Sequence, residues 1–395
     1  MSKYDPKKPE TLFMPIEIEQ EFLAGVNTQL LRQVMLHVFN IEASDLLVQD
    51  GFPIRVKLNN LVFPISRGNA TMSIASGMIK IITNNDDAVA QIMSSNPVNT
   101  TYKFRALIGK VKQGIRFRVN AIKDGENGLQ LSLRLNNDEI YKLAEIGHTA
   151  DSEIYRNMFP QKGLVLVTGA TDSGKTTFLY ACFRHLIESN ERSAVINTYE
   201  APIEGDLRAV AKKAKAWNIS VSQTQVPDGV ADFAQGIEQS LRRNSDIILA
   251  GELRTKEEVV AALDATIQTG RNVLATIHSA NLPSTLNRMI NVLGSIGESE
   301  KKARVYDLIE SLHMIFSQTL LSTLNSKRVA VYEYLVFTRE IKQRLHSVAV
   351  EDVSKELSLI MLEIGRTMTS MAEKRLADKE ISQEVFDRFK ASYSY

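Results

Sequence analysis

Apolar positions in this chain change their period along its length. Over residues 27–40 they recur at helical spacing (Leu30, Leu31, Val34, Leu36, Val38), which predicts an amphipathic helix. Residues 44–48 read as a strand, and residues 53–65 as a hairpin turning at Asn59-Asn60. A helix is predicted near residues 75–93. Strand-like alternation follows at 102–108, 115–122 and 129–135. The middle segment puts Arg116 and Arg118 on one face and Phe117 and Val119 on the other. Residues 27–138 therefore read as a small α+β domain with a mostly antiparallel sheet. Residues 1–26, which open with proline and charge, predict a flexible arm.

Residues 139–162, with Gly147, Asp151 and Pro160, read as a connector to a second domain over 163–395. There, short continuous apolar runs replace alternation: strands at 163–168, 194–199, 246–250 and 272–277. Helices are predicted at 177–188, 230–243 and 256–269, the last stopped by Gly270. Alternating strands and helices predict an α/β fold with a parallel sheet. Beyond His278 a largely helical region is expected, with an added strand at 331–336. Residues 304–324 and 357–376 read as long amphipathic segments.

Composition narrows this picture. At 395 residues with 44% hydrophobic content, two globular domains are expected. A formal charge of +1 supplies no global basic field, so nucleic acid is not expected as a direct partner. The single cysteine, Cys182, excludes a disulfide framework. The start MSKYDPKKPE lacks an apolar leader, and no apolar run approaches 18 residues. The expected location is the cytoplasm, with the membrane reached only through partner proteins.

The most informative stretch is 163–177, GLVLVTGATDSGKTT. An apolar strand leads into Gly169, four residues, then Gly174-Lys175-Thr176, the spacing of a phosphate-binding loop. Backbone N–H groups from Gly169 through Ala170, Thr171, Asp172, Ser173 and on to Thr177 are placed to point at phosphate oxygens. Lys175 is the candidate for the β- and γ-phosphates, and the Thr176 hydroxyl for Mg2+.

Further candidates close the apolar strands. Asp246-Ile-Ile-Leu-Ala-Gly-Glu252 has the form of a Walker B strand, with Glu252 a candidate for Mg2+ or for the attacking water. Glu200 and Glu204 flank Pro202 and either converge on a γ-phosphate or form an acidic surface loop. His278 ends the fourth strand, as a phosphate sensor or a structural cap. Arg116, Arg118 and Arg134 are either solvated sheet charges or arginines supplied to a phosphoryl-transfer site in trans.

In order and spacing, GLVLVTGATDSGKTT, TYEAPIE, DIILAGELR and TIHSAN resemble the secretion-ATPase superfamily, which includes the pilus-retraction ATPases and the type II and type IV secretion ATPases. ASDLLVQ, PIRVKLNN and RFRVNA resemble its amino-terminal PAS-like domain. TYEAPIE, VSQTQVP and VYEYLVF resemble the DotB/TraJ group of type IVB secretion and conjugal transfer systems. The resemblance implies a RecA-like P-loop NTPase core behind a PAS-like α+β domain, working as a homohexameric ring with ATP and Mg2+. It implies inner-membrane secretion or pilus components as partners, together with a coupling ATPase. It makes Glu204 a general base, Glu200 its acidic-box companion, Glu252 the Walker B carboxylate and His278 the His-box histidine. Arg116, Arg118 and Arg134 match the N-domain arginines.

The chain departs from the pattern at Asp172, Ala201, Thr255 and Arg271, where the superfamily usually carries Gly, Asp, Asp and His. A slow or partner-dependent ATPase would fit. Two rivals stand beside a motor: a catalytically weak ATP-binding scaffold ring, and a P-loop small-molecule kinase. The kinase reading needs an Arg-rich lid, and no segment after Glu252 resembles one.

Overall fold

The computed structural model describes residues 19–58, 61–109, 111–136, 140–295, 298–324 and 328–393. The turn expected at Asn59-Asn60 and the first part of the arm lie outside them. Two compact units are present, one built from the described residues up to 136 and one from those beginning at 140.

In the first unit, β1 (Asp45–Gln49), β2 (Pro53–Leu58), β3 (Leu61–Asn69), β4 (Val98–Ile108), β5 (Val111–Lys123) and β6 (Leu129–Asn136) form an antiparallel sheet in the order β3-β2-β1-β6-β5-β4. Period-2 alternation sends Leu46, Val56, Phe117, Val119 and Leu133 to one face. That face packs on α1 (Glu19–Ala24), α2 (Thr28–Asn40), α3 (Met72–Thr83) and α4 (Ala88–Met93). The other face carries a cross-strand row of Thr101, Arg118, Arg134, Asp45 and Lys57.

Two expectations are corrected here. Residues 19–24 of the expected arm form α1. Its Phe22 is fully buried, and its Glu19 carboxylate accepts the backbone N–H groups of Arg67 and Gly68 at 2.6 and 2.9 Å. The single helix expected over 75–93 is two, because Asn84 turns left-handed (φ +51°) and ends α3.

In the second unit, a 3-10 turn (Leu143–Ile146) and α5 (Glu153–Arg156) precede β7 (Gly163–Thr168) and α6 (Lys175–Ser189). Then come β8 (Ala194–Glu200), α7 (Leu207–Ala214), β9 (Ile219–Gln225), α8 (Phe233–Arg242), β10 (Ile247–Ala250), α9 (Lys256–Ile267) and β11 (Asn272–Ile277). The chain continues through α10 (Leu282–Val292), α11 (Glu298–Ser311), β12 (Leu312–Ser322), β13 (Arg328–Val336), α12 (Arg339–His346), α13 (Val353–Ile364), α14 (Met368–Ala377) and α15 (Gln383–Ser392). The sheet order is β13-β12-β7-β11-β10-β8-β9, parallel throughout except for the antiparallel edge strand β13. It is therefore mixed rather than wholly parallel.

Both faces are covered, which explains the unbroken apolar runs. In β7, Leu164 and Leu166 join the core beneath α8–α13, while Val165 and Val167 join the core beneath α6 and α7. Two expectations fail in this unit, and one strand stands where none is expected. Residues 304–324 are not one helix: α11 ends at Ser311 and β12 takes the rest. A strand buried on both faces shows no period that separates it from a buried helix. Residues 357–376 break at Gly365, which has φ +69°. The strand β9 was not anticipated, because Ile219-Ser-Val-Ser-Gln-Thr-Gln is a polar edge strand with little apolar signal.

Candidate functional site

Parallel register gathers the candidate residues. Thr168 pairs with Ile277 and with Ser317, and Ala250 pairs with Tyr199 and Ala275. The residues that follow these positions thus emerge at one edge of the sheet: Gly169, His278, Gln318, Glu252 and Glu200. Ligands bind at this carboxyl edge in open α/β sheets.

The loop between β7 and α6 is shaped by its own sequence. Gly169 has φ +147°, and a Cβ there would stand 2.3 Å from the Gln318 carbonyl oxygen. Gly174 has φ +83° and would meet Gln318 Nε2 at 2.8 Å. Neither place tolerates a side chain. Asp172 adopts φ +62°, a conformation Asp accepts better than most residues. Ala170, Thr171, Asp172 and Thr177 are exposed, Ser173 is buried and Thr176 half-buried at the start of α6. The free N–H groups of that first turn face the loop.

Lys175 is 8% exposed, and its Nζ donates to the carbonyls of Gly169 (2.8 Å) and Ala170 (2.7 Å). Burial pushes its pKa down from 10.5, and the carboxylates of Glu252, Glu204 and Asp172 oppose that shift. His278 Nδ1 lies 3.5 Å from Lys175 Nζ, and its Nε2 lies 3.7 Å from Glu252 Oε2. Burial, followed by the Lys175 charge, pushes the His278 pKa below 6.5, which favours the neutral ring. Glu252 is 9% exposed and accepts from Arg254 Nη2 at 2.5 Å.

Glu200 and Glu204 separate into different surroundings. Glu204 is exposed. Glu200 is buried, and its carboxylate accepts from the Tyr180 hydroxyl, from Thr198 Oγ1 at 2.5 Å and from Gln223 Nε2 at 3.3 Å. Burial pushes its pKa up despite these three donors. Glu200 thus braces the loop after β8, where Gln223 also holds Gly205 O and the Leu207 N–H.

Arg116, Arg118 and Arg134 belong to the first unit. Arg118 pairs directly across strands with Arg134, whose Nε lies 3.0 Å from Asp45 Oδ1. Arg116 is buried on the same face and Arg118 is exposed. Arg271 immediately precedes β11, whereas His278 follows its end, about 20 Å away by strand rise. It therefore takes no place near the loop. Thr255 caps α9 in a reciprocal box with Glu258. The sequence reasoning missed Gln318, Arg254 and Tyr180. Of these, only Arg254 carried a local signal, standing two residues after Glu252.

Among the described residues no cluster of three or more His, Cys, Asp or Glu side chains is placed to hold a metal. A nucleotide-borne Mg2+ needs only one or two protein oxygens besides phosphate and water. The Thr176 hydroxyl beside the loop and the Glu252 carboxylate at the same edge are donors of that kind. Among the described residues no helix is long and apolar enough to cross a membrane.

The sequence matches the family described as Type II/IV secretion system protein over residues 21–383. It is 31% identical to the type IV pilus retraction ATPase PilT of Pseudomonas aeruginosa over 275 residues, 68% of this chain and 75% of that protein. It is 29% identical to the type II secretion system protein E of Aeromonas hydrophila over 268 residues, 66% of this chain, and spans about half (49%) of that protein. The fold is similar to the X-ray structure of the Legionella pneumophila ATPase DotB, with TM-score 0.76 and 29% identity. That likeness covers 93% of this chain and 97% of the other.

Proposed function

This chain belongs to the type II/IV secretion system protein family, and on that premise we propose that it is an ATP-hydrolysing motor of a secretion or pilus apparatus. The observation that carries the reading is the convergence of Lys175, Glu252 and His278 on a glycine-shaped loop at the carboxyl edge of a P-loop sheet. In this reading the loop amides and the α6 N-terminus bind the β- and γ-phosphates, with Lys175 supplying charge. Thr176 and Glu252 are the residues that would hold Mg2+, which would supply positive charge against the phosphates. Glu204, the exposed carboxylate, or Glu252 orients and deprotonates the attacking water. Neutral His278 sits between Lys175 and Glu252 and registers a change at either.

The finer reading is a homohexameric ring of the type IVB secretion or conjugative class. The first unit serves as a PAS-like domain over 27–138, residues 139–162 as connector and 163–395 as the RecA-like ATPase domain. The ring works at the cytoplasmic face of the inner membrane, bound to membrane components and to a coupling ATPase. Arg116 or Arg118 reaches a neighbouring subunit's nucleotide, with Arg134 anchored by Asp45 beside them. The overall likeness to DotB supports the class, and the shared face of these arginines supports their common role.

One observation favours a second reading, the weakly hydrolysing scaffold: Arg254 occupies the Glu252 carboxylate. A single experiment separates them. Purified chain and Lys175→Ala are assayed for phosphate release with ATP and Mg2+, and their mass is followed by analytical ultracentrifugation. A motor releases phosphate in wild type and not in the variant, with a hexamer in both. A nucleotide-binding hexamer that releases none establishes the scaffold, and turnover retained in Lys175→Ala removes the phosphate-loop assignment.

A further inference from the structure

The edge of the second sheet opposite the phosphate loop has a chemistry that nucleotide turnover does not use. There the strands begin together, with Gly163 paired to Asn272, Asn272 to Ile247 and Ala194 to Ile219. An open cleft of about 440 Å3 lies at this edge, lined by Lys162, Arg192 and Arg271 against one carboxylate, Asp246. Asp246 is partly committed, since its Oδ2 accepts the Val195 N–H at 2.8 Å, and Arg271 Nη1 stands 4.0 Å from its Oδ1.

Beside the cleft the chain carries LRAVAKKAKAW, residues 207–217, which holds four cations and no carboxylate. The helix α7 spends its apolar face on the core: Leu207 is buried, and Val210 and Ala211 pack beneath it. Lys212, Lys213 and Lys215 are exposed at its C-terminal end. Trp217 follows, 85% exposed. Its neighbour Asn218 accepts the Ala194 N–H through its carbonyl and donates to Asn190 O, which ties this turn to the strand that starts at the cleft. Glu191, also exposed in that loop, is the nearby counter-charge.

We propose that this edge, Trp217 with Lys212, Lys213 and Lys215 and the neighbouring cationic cleft, docks the protein directly on an anionic lipid bilayer. The charge pattern selects a phosphate-rich surface. The indole selects the kind of surface. An indole exposed on nearly all sides is a plug for a soft interface, where tryptophan is favoured at headgroup depth. Single-stranded nucleic acid asks for aromatic platforms set within a basic groove, whereas Trp217 stands 85% exposed and is not among the residues that line the cationic cleft. Basic residues near an anionic leaflet and one apolar insertion are the two signals that peripheral attachment requires. The cleft adds a seat for a single headgroup phosphate. Membrane contact then does not depend on partners alone.

Trp217 is the chain's only tryptophan, so its fluorescence reports this edge directly. Full-length protein is titrated with vesicles of phosphatidylglycerol in phosphatidylcholine and with phosphatidylcholine alone, alongside flotation. The expected result is a blue shift and flotation with the anionic vesicles only, abolished by high salt. The triple variant Lys212→Gln, Lys213→Gln, Lys215→Gln should bind roughly 100-fold more weakly, from about fivefold per lysine, with ATP turnover unchanged. No blue shift, an equal response to neutral vesicles, or full binding by the triple variant overturns the proposal. So does a shift produced by a single-stranded oligonucleotide or by soluble glycerol phosphate when vesicles produce none.

Discussion

Gln318 Nε2 donates a 2.8 Å hydrogen bond to the backbone carbonyl of Ser173, which joins β12 to the phosphate loop from the neighbouring strand. The Gln318 carbonyl closes on Gly169 from the same side, so one residue of β12 limits both ends of the loop. Gln318 is 4% exposed, and removing it leaves a buried carbonyl without its donor. That loss costs about 1–3 kcal/mol. Gln318→Ala should therefore weaken ADP binding by roughly tenfold or more while sparing the secondary structure. Calorimetric titration with circular dichroism checks this, and an unchanged affinity would show that the loop holds its shape without β12.

Glu252 is gripped by Arg254 at 2.5 Å and approached by His278 at 3.7 Å. Glu252→Gln keeps the shape and removes the charge. It should retain nucleotide binding and lose about 100-fold or more in turnover, the usual scale for a general base. Glu204→Gln, at an exposed carboxylate, is the comparison. If Glu204→Gln shows the larger loss, the base is Glu204, and Glu252 positions Mg2+ or Arg254 instead.

His148 sits among the rings of Phe178 and Tyr332, with centroids 4.7 and 4.9 Å away, and burial pushes its pKa down to about 4. The unfolded chain takes up the proton near 6.5 and the native state resists it. The stability is thus whole above pH 6.5 and is lost as pH falls from 6.5 towards 4. The full shift corresponds to about 3 kcal/mol. His148→Leu should remove that part of the acid destabilisation. Denaturant titrations of both proteins between these limits would show a widening difference, and parallel curves would contradict the assignment.

Glu200 acts with the opposite sign. Its native pKa is raised by burial, so the native state keeps the proton longer than the unfolded chain. Stability declines as pH climbs from 4.5 towards the raised value. Glu200→Gln should flatten that decline while keeping an acceptor for Tyr180, and should lower turnover less than Glu252→Gln. A loss of turnover equal to that of Glu252→Gln would make Glu200 part of the reacting centre rather than a brace behind it.

Much of the site was legible in local pattern. Glycines at 169 and 174, an aspartate able to take positive φ at 172 and the unbroken run Leu164-Val165-Leu166-Val167 each state a backbone requirement that neighbouring residues alone impose. The helix expected from residue 256 does begin there, and the structure shows Thr255 capping it. What the chain order could not state is which strands lie side by side. The order β12-β7-β11 brings Gln318 and His278, 145 and 103 residues from their loop partners Ser173 and Lys175, to either side of that loop. It carries Arg271 to the opposite edge, and it buries Glu200 while leaving Glu204 in water. Local conformational preference acts over a few residues and is written along the sequence. Strand adjacency arises from burying apolar faces contributed by distant segments, so only the assembled tertiary structure decided it.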